Sequence, residues 1–380
     1  MTAYVPVMLS KAGQAKGDVM NLEGALGLIK RALELEASEG IQTKLEAVRN
    51  RLDNMISSPS EPSYQTAFVS ELNELHAALR HVSNVLTPAQ QERLSLIASS
   101  EDFSVAMADE IQALVQENAA TLAVARDQVQ EIATTRATLL LHFKATLDAS
   151  KFLSWDEVNE PHDMPAEVGF VVPRLIFGNE FSGLIQEFGF IKRFVALLAE
   201  SSGEADTRLE LVSLSTTDPM VVIGVATGIA TAIGGVATWA LNSWKTVEEI
   251  REIRARARQL SSFSDEEVER IFGDKIRQEI SAKIDEEAQR LVSSMRASGR
   301  RNEVKNGLEL HLREFLARVE RGMTVEIKLI AGAEKNVEEL DEASASVSAF
   351  AHSLRFPAAT GEPVLSLSGP TNDEGEAEAA

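Results

Sequence analysis

From Pro219 to Trp244 the chain runs 26 residues without a charged side chain, and no other stretch constrains its fold as much. About 20 apolar residues suffice to cross the hydrocarbon of a bilayer. Pro219 after Asp218 suits a helix start, and Trp239 and Trp244 sit where interfacial aromatics would. Within the run, Gly224, Gly228, Ala232 and Ala240 fall on one four-residue ladder, with Thr227, Thr231 and Gly235 beside it. Val222, Val225, Ile229, Ile233 and Val236 follow three-and-four spacing on another face. Read as one helix, the segment has a small, flat face and a bulky one, and the Gly224–Gly228 spacing admits close helix–helix approach. Each glycine costs a helix in water about 1 kcal/mol relative to alanine, so a neighbour packed on that face must compensate.

The flanks complicate a simple span. Lys245, Arg251, Arg254, Arg256 and Arg258 all follow the run, so the positive side is C-terminal and would be cytoplasmic. The preceding 218 residues would then lie across the membrane. The opening MTAYVPVMLSKAGQAKGDVM has no basic start leading into a sustained apolar run, so no secretion signal is expected to carry them. The expectation is a cytoplasmic protein whose apolar helix is sequestered and meets a membrane on occasion. In that reading the helix inserts and packs through Val222, Gly224, Val225, Gly228, Ile229, Ala232, Ile233, Gly235, Trp239 and Trp244, and the five basic residues meet lipid headgroups. A salt-bridged surface helix is the plainer reading of VEEIREIRARARQL, because Glu248, Glu249 and Glu252 precede its arginines.

Most of the remaining sequence has helical periodicity. Leu22, Leu26, Ile29, Leu33, Leu45, Val48, Leu52 and Ile56 predict helix from about 19 to 56, ended by SSPSEPS. A second helix is expected over 64–86, and Thr87, Pro88 and Gln90 form a capping signal for a third. From 104 to 152, Ile111, Val115, Leu122, Ala125, Val129, Ile132, Leu139 and Phe143 make a heptad-like seam, with Asn118 and Arg136 as polar intrusions. As one rod this would be about 73 Å long. SDEE at 264–267 opens another helix, and Val304, Leu308, Leu312, Phe315, Val319, Met323, Ile327, Ile330, Val337, Leu340 and Val347 extend the stripe to about 354. The two long arms, matched in length, are expected side by side.

Between them the pattern changes. VGFVVPRLIF has strand density, with Pro173 pointing to an edge strand or a bulge. Residues 180–200 read as an apolar helix, and TRLELVSL at 207–214 alternates as a strand should. The expected fold is therefore mainly α, an elongated antiparallel bundle or coiled coil with a small α+β head carrying the apolar helix. Its expected boundaries are 1–154 for the N-terminal arm, 155–245 for the head, 246–355 for the C-terminal arm and 356–380 for a disordered acidic tail.

That layout, with the head from Val168 to Trp244 between arms at 19–152 and 264–354, resembles the α-helical pore-forming toxins of the cytolysin A and haemolysin BL type. The resemblance is one of architecture and transfers no functional residue. It implies a head that packs its apolar element away and releases it on membrane contact, with self-association or a partner helical protein completing the assembly.

Residues that would carry chemistry are sparse. A net charge of −21 opposes nucleic-acid binding, which requires a basic footprint, and the absence of cysteine removes thiolate chemistry. His76, His81, His142, His162, His311 and His352 lack metal-ligand spacing and read as surface or seam residues. Asp156, Glu157, Glu160, His162 and Asp163 form one local cluster, better explained as a capped turn ended by Pro161. Asp285, Glu286 and Glu287 read as a solvated helix face. No catalytic residue, metal site or cofactor is expected. The function expected is non-enzymatic membrane interaction or pore formation. Its alternative is a soluble coiled-coil scaffold or interaction module whose apolar helix stays buried.

Overall fold

Helix-stop residues divide the long periodic stretches that hydrophobic spacing alone would join. The computed structural model describes residues 22–98, 102–153, 164–215, 219–258, 265–293, 295, 299–330, 342–357, 363 and 365. Among the described residues, eleven helices account for most of the chain, with one four-stranded antiparallel sheet. The chain forms two compact units, Met1–Pro161 and His162–Ala380.

The first unit is all helix: α1 (Leu22–Glu39), α2 (Ile41–Ser57), α3 (Pro62–Val85), α4 (Pro88–Ile97), α5 (Ala106–Glu117) and α6 (Leu122–Phe152). The helix expected over 19–56 breaks at Gly40, whose φ of 62° is the left-handed conformation that ends a helix cheaply only at glycine. After it, Ile41, Leu45, Val48 and Leu52 bury one stripe of α2 against α3 and α6. The α4 capping signal forms as the sequence predicts. Gln90 N donates to Thr87 Oγ1 at 3.3 Å, and Thr87 N donates to Gln90 Oε1 at 2.9 Å.

The single rod expected over 104–152 is two helices. Asn118 ends α5, its side-chain amide donating to the Leu114 carbonyl at 2.9 Å, and α6 begins at Leu122. At 31 residues, α6 is about 46 Å long. It packs against α1, α2 and α5. Arg136, read as a polar intrusion, is fully buried. It donates to Glu36 Oε2 at 2.5 Å, to the Asp102 carbonyl at 3.0 Å and to Gln42 Oε1 at 3.3 Å, and its guanidinium lies 5.1 Å from the centre of the Phe103 ring. A buried charge survives only when paired and hydrogen-bonded in this way.

The second unit alternates: β1 (Ala166–Val171), α7 (Phe181–Ser202), β2 (Glu210–Ser215), β3 (Met220–Val225), α8 (Thr227–Arg258), α9 (Asp265–Ser293), α10 (Arg301–Glu320), β4 (Thr324–Leu329) and α11 (Glu342–Ser353). Spatial order in the sheet is β2-β3-β1-β4. β1 is thus interior, not an edge, and it stops before Pro173 because proline cannot donate to a ladder.

β4 lies inside the stripe read as continuous helix. Met323, Ile327 and Ile330 fit helical steps, but Val325, Ile327 and Leu329 fit strand steps equally well. Gly322 decides between them. At φ 93° it closes a Schellman turn, with Met323 N donating to Arg318 O and Gly322 N to Val319 O, both at 2.9 Å. The sheet of the expected head is therefore completed by a strand from the expected C-terminal arm. Of the tail read as disordered, Phe356 and Leu365 pack against the core of this unit.

Candidate functional site

The uncharged run is two elements, not the one helix expected. Its early residues, MVVIGV, are rich in β-branched side chains and form β3, hydrogen-bonded between β1 and β2. α8 begins only at Thr227, and its uncharged portion mixes Thr227, Thr231, Thr238, Asn242 and Ser243 among the aliphatics. Among the described residues, no helix is long and apolar enough to cross a membrane.

Cross-strand register builds the floor on which α8 rests. Val168 stands between Ile223 and Ile327, Phe170 between Val221 and Val325, and Ala166 between Val225 and Leu329. All nine are buried and share one core with Ile229, Ile233, Val236, Ala237 and Ala240 of α8. α7, α9, α10 and α11 pack around α8. On the opposite sheet face Gly169 makes room for Met220, whose methyl carbon would lie 2.6 Å from an added Cβ.

The proposed insertion residues separate accordingly. Val222, Gly224 and Val225 belong to β3; Gly228, Ile229, Ala232, Ile233, Gly235, Trp239 and Trp244 belong to α8. The Gly224–Gly228 ladder does not exist as a helix face, because the two glycines lie in different elements. Gly228 instead accommodates Glu204, whose Oε1 takes up the space an added Cβ would need. Ile229 and Ile233 are fully buried, while Ala232, Trp239 and Trp244 are half-buried against the core. A close helix contact uses Gly234, which the ladder omitted: the Phe350 ring of α11 lies where a Cβ there would go. Beside it, Thr231 Oγ1 donates to the Thr227 carbonyl at 2.8 Å and reaches the Ala343 carbonyl of α11 at 3.4 Å. The Gly234–Gly235 pair in the sequence was the available signal for this contact. Gly235 faces Arg290 of α9, with a guanidinium nitrogen 3.5 Å from the Cβ position.

Arg290 also corrects the acidic face. Glu287 is buried, not solvated, and receives two hydrogen bonds from Arg290 at 2.6 and 2.7 Å; Asp285 and Glu286 are exposed. Hydrogen bonding to Glu287 raises the Arg290 pKa, burial partly opposing it. Of the headgroup residues, Lys245 is exposed and Arg256 pairs with Glu252 at 3.4 Å along the helix. The side chains of Arg251, Arg254 and Arg258 lie outside the described residues, as do Asp156, Glu157, Glu160, His162 and Asp163. No group of three or more metal-ligating side chains occurs among the described residues. His311 packs in the core, stacked on Phe190 with ring centres 5.9 Å apart.

Two exposed apolar features escaped the sequence reading. Leu211 and Leu214 on β2 lie opposite Ile223 and Val221, so they prolong the buried rows of the sheet, yet they are 63% and 46% exposed. The register slips between Leu211 and Ser213, and this bulge at Val212 keeps both leucines on one face although they are three residues apart. Strict alternation would have placed them on opposite faces. The second feature surrounds the left-handed turn at Gly178 and Asn179, where Leu175, Phe181 and Ile185 are all exposed.

No family model, curated protein or solved structure matches the chain.

Proposed function

We propose that this chain is a non-enzymatic helical interaction module whose apolar helix stays buried, and that it self-associates through the sheet margin at β2. One observation carries the reading. The apolar rows of the sheet are buried on β1, β3 and β4 and exposed on β2, where Leu211 and Leu214 end them. The covered part holds α8 in the core, packed against α7, α9, α10 and α11. The uncovered part is an apolar surface that a second copy would bury by presenting the same patch about a two-fold axis.

Light scattering across a concentration series tests the association. A concentration-dependent dimer that Leu211→Lys with Leu214→Lys abolishes supports it; a monomer at every concentration overturns it. Liposome leakage tests the burial of α8, and an engineered disulfide tests whether β3 stays in the sheet. Gly169 and Val222 are cross-strand neighbours, and the chain has no cysteine of its own to interfere. Only the flexible end of Met220 has to yield to a side chain at position 169. The oxidised Gly169→Cys/Val222→Cys protein is expected to match the wild type on liposomes. Leakage by the wild type would replace this reading with pore formation, and its block by oxidation would add β3 to the released segment.

A second reading, contact with a lipid surface, rests on the exposed Leu175, Phe181 and Ile185. Apolar side chains around a protruding turn can enter an interface without releasing a core helix. It predicts co-flotation with liposomes that Phe181→Ser removes and the engineered disulfide between β1 and β3 leaves intact.

A further inference from the structure

The end of α10 makes a contact with a residue far along the chain. Leu365 lies 45 residues beyond Glu320, and its backbone N–H donates to Glu320 Oε2 at 2.9 Å. Its carbonyl accepts from Arg321 Nη2 at 2.6 Å. Both polar groups of one residue are thereby read by two adjacent side chains, while the leucine side chain packs against the core.

These side chains are set in place by the turn that ends α10. Glu320 is only 4% exposed, and a carboxylate so placed requires hydrogen-bond donors. Arg321 is held by a second bond, from Nη1 to the Ala317 carbonyl at 2.7 Å. Burial lowers the Arg321 pKa, with Glu320 opposing the shift and Arg318 adding to it. An acceptor and a donor fixed on adjacent residues read both main-chain groups of Leu365 while its side chain packs on the core: main-chain hydrogen bonds supply affinity and the side-chain contact supplies selection.

We propose that the α10–β4 corner is a binding site for a peptide with a leucine anchor, and that Leu365 is its intramolecular ligand. The proposal is independent of β2 self-association and of where α8 resides. Tethering holds the ligand at an effective concentration of about millimolar, so an equivalent peptide in solution displaces it only at comparable concentration.

Hydrogen exchange on the full-length protein tests the site. The Leu365 amide is expected to exchange slowly, and to speed up severalfold when a synthetic peptide of residues 360–370 is added at several millimolar. The same peptide carrying aspartate in place of leucine is expected to have no effect. In the full-length Leu365→Asp protein the site is vacated, and a fluorescent 360–370 peptide is expected to bind saturably, at least tenfold more weakly once Glu320→Gln or Arg321→Met is added. An amide at 365 that ignores the competing peptide overturns the proposal, as does a folded Leu365→Asp protein that does not bind it. Should Leu365→Asp fail to fold, the wild-type competition decides alone.

Discussion

Arg318 donates two hydrogen bonds, of 2.6 and 2.9 Å, to the carboxylate of Glu187, and its guanidinium lies 3.8 Å from the centre of the Phe190 ring. Both charges are nearly fully buried, so the pair ties α7 to α10 at the point where α10 gives way to β4.

Removing one partner leaves the other charged and dry. Arg318→Met is expected to destabilise the second unit by about 3–5 kcal/mol, whereas Glu187→Met with Arg318→Met recovers much of that loss. Urea unfolding of the four proteins in a double-mutant cycle reads the coupling. A value near zero would show that the pair is dispensable.

Gly234 permits the contact between α8 and α11. Gly234→Val places a side chain where the Phe350 ring lies and is expected to cost about 1–3 kcal/mol. Phe350→Ala in the same protein should return part of it. In a Trp155→Phe background, unfolding followed by the fluorescence of Trp239 and Trp244, both on α8, reports this unit directly.

Exposure separates the leucines of β2 from the valine and isoleucine rows they prolong. Leu211→Lys with Leu214→Lys is expected to change stability by no more than about 0.5 kcal/mol per site, whereas Ile223→Ala costs about 2–5 kcal/mol. Copies of a chain with net charge −21 repel one another, so the proposed dimer should tighten as salt rises. Light scattering at low and high ionic strength checks the direction.

In the first unit Asp53 links α2 to α6, accepting from Arg126 and Arg49 at 2.7 Å each. Burial pushes its pKa up, but these hydrogen bonds and charges outweigh burial and hold it below the ordinary value. Its stabilising contribution is therefore complete above the unfolded pKa of about 3.9 and disappears as pH falls through the lower folded value. Asp53→Asn should flatten that acid limb in urea unfolding between about pH 5 and pH 2. An unchanged limb would contradict the assignment.

Local chemistry was legible wherever one residue type admits one solution. Thr87, Pro88 and Gln90 announced a capped helix and made one, and the three-and-four spacing of Leu45, Val48 and Leu52 announced a buried stripe, which Ile41 joins. Periodicity failed where two periods fit the same letters. Met323 to Ile330 satisfies a helix and a strand alike, and so does the valine-rich start of the uncharged run, so the spacing could not separate β4 from α10 or β3 from α8. Arg136 stood in the apolar seam and Glu187 in an apolar helix, but neither showed what would make burial tolerable, because the partners, Glu36 and Arg318, lie 100 and 131 residues away.

By itself, then, the sequence determined a mostly helical chain with a strand-bearing middle and one segment too apolar to face water. It also determined that something must pack closely on that segment's glycines, since an exposed helix would not tolerate them. Only the tertiary structure decided what: Phe350 over Gly234, Glu204 over Gly228, and β1 and β2 on either side of β3. The physical reason is that lack of charge specifies removal from water but not the medium that replaces it. Lipid tails and aliphatic side chains offer equally apolar surroundings, and the choice between them lies in contacts between residues far apart in the chain.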